Sequence, residues 1–332
     1  MGLLYYFNQL SSADRVIYQQ IYDGLCSYSA KIKINKSSRA RAYSIYNDVL
    51  NDHPELAVVD SSQVHVEYTA FELWILPGYW FPQNDVYHNH VQFLEECEFI
   101  ANRITNPQAS DVEKEIAIYE FLCRNIQYGY CDTGNEMGSK ISQSAFSTLF
   151  ERKGVCKGIS MLFKCLADLV GLKVFVVEGE LFDQEWESHA WNIIAINGMY
   201  AHVDLTHDIC IYQNNRVLVY EGLNFSDNDA GNTYRWERKK FPACNGSVTG
   251  FYEKYNLIVN DETQLKKIIS RHISKGSKVI YFRIQKGSEM TFRDKDDIVQ
   301  LVMDVIQEIT HVSVSVKYII DTKSGKAVVE VE

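Results

Sequence analysis

Three residues of this chain have the types and the order that amide chemistry uses: Cys156, then His189, then Asp204. Cys156 lies in "ERKGVCKGISMLFKCLADLVGL", where a glycine-flanked loop turns into an amphipathic helix. Ile159, Leu162, Phe163, Leu166, Leu169 and Val170 fall on one side of that helix, and Gly171 ends it. Cys156 therefore occupies the first turn, where unpaired N–H groups and the helix dipole favour a thiolate. Lys157 adds a positive charge beside it. Gly154 and Gly158 leave room for another backbone or a substrate to approach. The bland alternative is a small buried thiol, and Cys165, deeper in the helix, fits that description.

A thiolate that attacks amides needs an acid/base partner, and the partner needs orientation. In "HAWNIIAINGMYAHVDLTHD" two strand-like runs flank Asn197-Gly198, a hairpin signal. A two-residue turn there pairs Ile196 with Met199, sets Trp191 opposite Asp204, and sets His189 opposite Thr206. These four side chains share one face. His189 and Asp204 become diagonal neighbours, roughly 7–8 Å apart, which an imidazole and a carboxylate can bridge. Taken alone, His189 reads equally as an ordinary strand-end histidine. Asp204 sits among apolar residues, where a charge needs a partner.

The elements around this trio follow from spacing. Ser11 or Ser12 caps a helix through "ADRVIYQQIYDGLCSY", and "SRARAYSIYNDVLNDHPEL" forms a second that ends near Pro54. "QVHVEYTAFELWIL" reads as one extended segment stopped by Pro77-Gly78. "NDVYHNHVQFLEECEFIANRI" is a polar helix. Ser110 and Glu113 open the next with a capping box. "DTGNEMGSKISQSAFSTLF" is a loop with a short helix. After the cysteine helix, "LKVFVVEGEL" is a strand buried on both faces. Residues 221–256 are loop-rich. From about Asn260 the pattern is helix, strand, helix and hairpin.

Composition bounds the function. The chain has 332 residues and a net charge of -10, with no basic stripe, which argues against nucleic-acid binding. No apolar run approaches the roughly 20 residues of a membrane span. The start lacks a signal-peptide pattern, and Tyr6 stands where a myristoylation signal needs Ser or Thr. The chain reads as cytoplasmic as it stands, or as secreted if an export signal was removed. Eight scattered cysteines with no CxxC pair read as free thiols. His88 and His90 form an HxH pair that no nearby Cys/His cluster completes, so no metal is assigned.

"GVCKGIS…HAWNIIAINGMYAHVDLTHD" resembles the core of the transglutaminase-like superfamily, with its VCxG helix start, HAWN strand and HVDxTxD strand. "IYEFLCRNIQYGY" and "SAFSTLFERKG" are similar to that family's lead-in helix and loop. The likeness spans about residues 110–210. "NDHPELAVV", "RWERKKFPAC" and the tail are similar to segments flanking this core in bacterial proteins. The resemblance implies an α+β, papain-like fold with the cysteine helix packed on an antiparallel sheet. It implies Cys156 as nucleophile, His189 as general base and acid, and Asp204 as the orienting group. The expected domains are 1–105, a helical and extended region; 106–258, the catalytic core; and 259–332, a small α/β module. His207 stands where many relatives have Trp and reads as a rim or packing residue. Lys157 stands where relatives often carry an acid, which alters substrate charge preference.

The implied activity is covalent attack on a protein or peptide amide. Peptide hydrolysis, glutamine deamidation and cross-linking share the acyl-enzyme; hydrolysis is favoured because water is always at hand. No cofactor is required, and no calcium loop signature is present. The Cys156 N–H is one oxyanion donor, Gln143 a candidate second, and Trp191 walls the cleft or packs in the sheet. The alternative is a binding or scaffolding protein that keeps the fold.

Overall fold

The computed structural model describes residues 2, 4–69, 72–131, 136–246, 248–288, 290, 295–322 and 324–332, with 136 and 137 described by backbone alone. The chain divides into two compact units: Met1–Gln213 with Gly222–Val248, and Asn214–Glu221 with Thr249–Glu332.

The first unit is built on the cysteine helix, Cys156–Leu169, and a four-stranded antiparallel sheet. The sheet runs Met199–Val203, Trp186–Ile196, Lys173–Phe182, Tyr234–Arg235 in spatial order. The helix is almost wholly buried from Gly158 to Ala167, as its apolar spacing requires. It is tied to one sheet face by polar bonds. Ser160 Oγ lies 3.0 Å from Ala190 O, Asn192 Nδ2 donates to Ser160 O at 3.1 Å, and Lys164 Nζ donates to Val174 O at 3.0 Å. The opposite face carries Phe175, Val177, Trp191 and Ile193, covered by Tyr5, Tyr234, Trp236 and Phe241. This is the α+β, papain-like arrangement that the sequence implies. The strand Lys173–Phe182 is buried on both faces only over Val174–Val177 and alternates beyond.

Helices Ser12–Cys26 and Arg39–Asp52 begin at Ser11 and Ser38, whose hydroxyls accept from Asp14 N and Arg41 N. They pack on a separate sheet through Ile17, Tyr18, Ile21, Ile45, Tyr46 and Val49. That sheet corrects one expectation. The segment expected to stop at Pro77-Gly78 is two antiparallel strands, Val59–Tyr68 and Leu73–Tyr79, and the second continues through Pro77 and Gly78. The ladder pairs Leu76 with His65 and Gly78 with Asp60, so Pro77 falls at the irregularity where no ladder hydrogen bond is lost. Residues 70 and 71, inside the expected segment, lie outside the described residues, as do 132–135 of the loop expected before the cysteine helix.

The second unit packs helices Glu262–Ser274 and Lys295–Thr310 on a sheet ordered Ile258–Val259, Val279–Ile284, Lys326–Val331, Val316–Asp321. Leu265, Ile269, Val302, Ile306, Phe282 and Val329 form its core. Among the described residues no helix is long and apolar enough to cross a membrane.

Candidate active site

The start of the cysteine helix is held from three directions. Val155 N donates to Ser142 O at 3.0 Å. Lys153–Gly154 pairs in parallel with Gln127–Tyr128. Gly154 and Gly158 both rest on Thr148: a Cβ on either would stand 2.2 or 2.4 Å from its Oγ1, and one on Gly158 would also stand 2.7 Å from Ser142 O. Of the two occupants expected there, another backbone or a substrate, Gly158 meets the Ser142 and Ser144 carbonyls, and Gly154 meets the Thr148 side chain. Val155, the N-cap residue, offers no side-chain hydrogen bond to the first turn. The N–H groups at Cys156 thus have no side-chain cap.

The hairpin has the expected register, with Ile196 opposite Met199 and Asn192 opposite Val203. Asn197 and Gly198 supply the two positive φ angles of the turn, 51° and 79°. The strand ends at Val203, however, and Leu205–Asn215 is a helix. Asp204 is not inside a strand, and Thr206 does not face His189 from one. The reason is local: Asp204 Oδ1 accepts from Thr206 N at 2.9 Å, an N-cap bond that starts the helix. The Asp204 backbone N–H donates to Gly222 O at 2.8 Å.

This junction still delivers the pair. His189 Nε2 and Asp204 Oδ2 are 2.7 Å apart, with both residues buried. Burial disfavours the charged ring, but the charge and hydrogen bond of Asp204, with help from Cys156, more than offset it and raise His189 to about 10. Burial also works against the Asp204 carboxylate. The bonds from His189, Thr206 N and Tyr234 outweigh that and hold it below the usual carboxylate range. With Nε2 committed to Asp204, Nδ1 is the ring nitrogen left for Cys156, whose side chain acts on the same ring.

Several neighbours escaped the sequence reading. Tyr234 donates to Asp204 Oδ2 at 2.9 Å from a strand of two residues, Tyr234–Arg235, within a stretch read as loop. Tyr128, more than one-third exposed, flanks Cys156; burial and then the cysteine's charge push its phenol up to about 12, so it remains a donor. Trp191 is fully buried in the sheet, which decides its role between wall and packing. Gln143 is exposed and lines a cavity of about 110 Å³ beside the helix start, together with Asn51, Met161, Lys157 and Glu178. Lys157 Nζ bonds both Glu178 Oε1 and Asn51 Oδ1 there. Cys165 is buried, and contact with Cys97 followed by burial raises its thiol well above the usual range. His207 is exposed, with Nδ1 3.5 Å from Asp208 Oδ1. His88 is exposed, whereas His90 is buried with Nδ1 2.9 Å from the Tyr28 hydroxyl.

The family model described as Transglutaminase-like superfamily matches residues 98–205. No curated protein matches the chain. Among solved structures, a candidate cysteine protease from Cytophaga hutchinsonii is 17% identical, with 49% of this chain and 66% of that one covered and a TM-score of 0.28. A candidate protease from Parabacteroides distasonis is 13% identical over 42% and 32% of the two chains, TM-score 0.26. The periplasmic domain of TgpA from Pseudomonas aeruginosa is 13% identical over 45% and 65%, TM-score 0.27. The chain spans less than two thirds of the length of each of these structures. The matched stretch, residues 98–205, contains Cys156, His189 and Asp204 and is similar to the core of the transglutaminase-like superfamily.

Proposed function

We propose that this protein is a cysteine-nucleophile enzyme acting on protein or peptide amides through an acyl-enzyme, with water as the usual acceptor. The observation that carries the reading is the buried 2.7 Å bond from His189 to Asp204, beside a cysteine at a helix start without a side-chain cap. In this reading His189 Nδ1 takes the thiol proton, and the sulfur attacks the amide carbonyl carbon. The oxyanion forms near the Cys156 N–H. As the tetrahedral species collapses, the imidazolium gives its proton to the departing nitrogen, the C–N bond breaks, and a thioester remains. Water then attacks the thioester carbonyl while His189 takes its proton. Collapse of that second adduct releases the acid, and the sulfur recovers the proton.

Asp204 keeps the charged ring in place through both steps. An amine in place of water would give transamidation, and ammonia as the leaving group would make the first step a deamidation. The cavity beside Lys157 and Glu178 is a place for the substrate group next to the attacked carbonyl. The test is to incubate the protein with a peptide library, quench in acid, and search for thioester mass on the peptide holding Cys156. Hydroxylamine-labile acyl adducts on Cys156, absent in His189→Ala, are expected. Turnover without any adduct at Cys156, or turnover retained in Cys156→Ala, would sink the proposal.

A further inference from the structure

The face of the sheet that carries His189 holds a second imidazole–carboxylate pair. Trp191 Nε1–H donates to His202 Nδ1 at 3.0 Å, and His202 Nε2 lies 2.9 Å from Asp227 Oδ1. Asp227 is fixed in turn: its Oδ2 accepts from Cys244 N at 3.1 Å, and its own N–H donates to Cys244 O at 2.9 Å. His202 exchanges backbone bonds with Phe225, and its ring is fully buried against Trp236 and Phe225.

His202 Nε2, an Asp227 oxygen and Cys244 Sγ lie within 4.8 Å of one another, a ligand-like grouping. The indole argues against a metal there. Trp191 N–H is a donor only, so His202 Nδ1 must carry the lone pair and Nε2 the proton. A protonated Nε2 donates to Asp227 and cannot ligate. The Cys244 thiol is pushed up to about 12 by burial and by Asp227, which disfavours the thiolate a metal would need. The cluster is a hydrogen-bonded brace ending on the indole.

That indole supports the other histidine. The His189 and Trp191 rings stack with centroids 6.0 Å apart and planes 20° apart. Trp191 is pinned from its other sides by Tyr234 and Trp236, and Gly179, opposite His189 in the ladder, admits its ring edge. A Cβ on Gly179 would stand 2.9 Å from Trp191 Cη2.

We propose that His202 and Asp227 are positioning residues for His189, acting through the indole of Trp191. Building on the reading of Cys156, His189 and Asp204 given above, the inference adds the means by which the plane of the His189 ring is set. Without the Asp227 acceptor, the buried His202 Nε2–H loses its partner, and the ring turns to find another, pulling Nδ1 away from the indole N–H. The indole tilts, and the ring stacked on it turns with it.

The experiment is a double-mutant cycle read as the rate of Cys156 alkylation by iodoacetamide across pH, followed by peptide mass spectrometry on the full chain. Asp227→Ala is expected to slow alkylation about tenfold and to displace the pH profile, an effect typical of coupled groups in one network. In a Trp191→Phe background, which removes the indole N–H, Asp227→Ala should change nothing further. An unchanged profile in folded Asp227→Ala, or equal effects in both backgrounds, would overturn the proposal. If Asp227→Ala does not fold, Asp227→Asn decides. Its single oxygen must serve both His202 and Cys244 N–H, so an intermediate profile is expected and a wild-type profile overturns the inference. A wild-type protein whose Cys156 labelling ignores His189→Ala would instead refute the underlying assignment of the site.

Discussion

Replacing Asp204 by Asn tests how the carboxylate works. Asp204 accepts three hydrogen bonds on two oxygens: Thr206 N on Oδ1, and His189 Nε2 and the Tyr234 hydroxyl on Oδ2. Asn has one acceptor oxygen and an NH₂ that only donates. If that oxygen keeps the helix cap, the NH₂ faces His189, which must then accept at Nε2 and carry its proton on Nδ1. The nitrogen facing Cys156 is then already protonated and cannot act as a base. Turnover should fall roughly 10³–10⁴-fold, as in other triads whose imidazole tautomer is reversed.

Stability should change in a matching way. In the wild type, His189 is raised from 6.5 to about 10. The stability it contributes is therefore fully present below pH 6.5 and is lost as pH rises through about 10. Inside that window the His189 slope approaches about 1.4 kcal/mol per pH unit. In Asp204→Asn only Cys156 still favours the charged ring against burial, so this slope should shrink above pH 6.5. Glu115, which burial raises to about 8, adds the same dependence to both proteins and cancels in the difference. Urea unfolding of the two proteins from pH 6 to 10 measures that difference. Parallel stability curves together with unchanged turnover would refute the reasoning.

Three further outcomes follow from named contacts. Tyr234→Phe removes one donor from the Asp204 carboxylate, a bond to a charged group worth about 1.5–3 kcal/mol. Asp204 stabilises the fold above the usual carboxylate range and loses this as pH falls through its lowered value, so acid unfolding of the variant should begin at higher pH. Gly158→Ala places a methyl 2.4 Å from Thr148 Oγ1 and 2.7 Å from Ser142 O. It should cost about 1–3 kcal/mol by overpacking, read as a lower Tm. Cys165→Ala should lower Tm modestly and leave alkylation of Cys156 unchanged, because Cys165 is a buried packing thiol.

Where local chemistry determines an element, the sequence announces it. Ser110 and Glu113 make both bonds of the capping box. Asn197-Gly198 sets the hairpin register, which carries the chain to Val203, one residue short of the Asp204 that meets His189. The cysteine helix is legible because its apolar stripe has the period of a buried helix. What is not legible depends on partners far along the chain. Tyr234 reaches Asp204 from two strand residues, too few to carry a period. The change from strand to helix at Asp204 depends on one side-chain cap, and the same letters continue an alternating pattern if that cap is overlooked. Pro77 was read as a stop, yet it sits at a bulge that its missing N–H suits. His202 and Asp227 lie 25 residues apart, and only the folded sheet brings Trp191 to them.

The central claim is that Cys156 and His189 form an activated thiolate–imidazole pair. It is tested most directly by iodoacetamide labelling of the native protein between pH 5 and 9, read by peptide mass spectrometry. The account predicts selective labelling of Cys156 below pH 7, ahead of the other seven cysteines, and its loss in His189→Ala. Uniform slow labelling, or none at Cys156 until the protein unfolds, would contradict it.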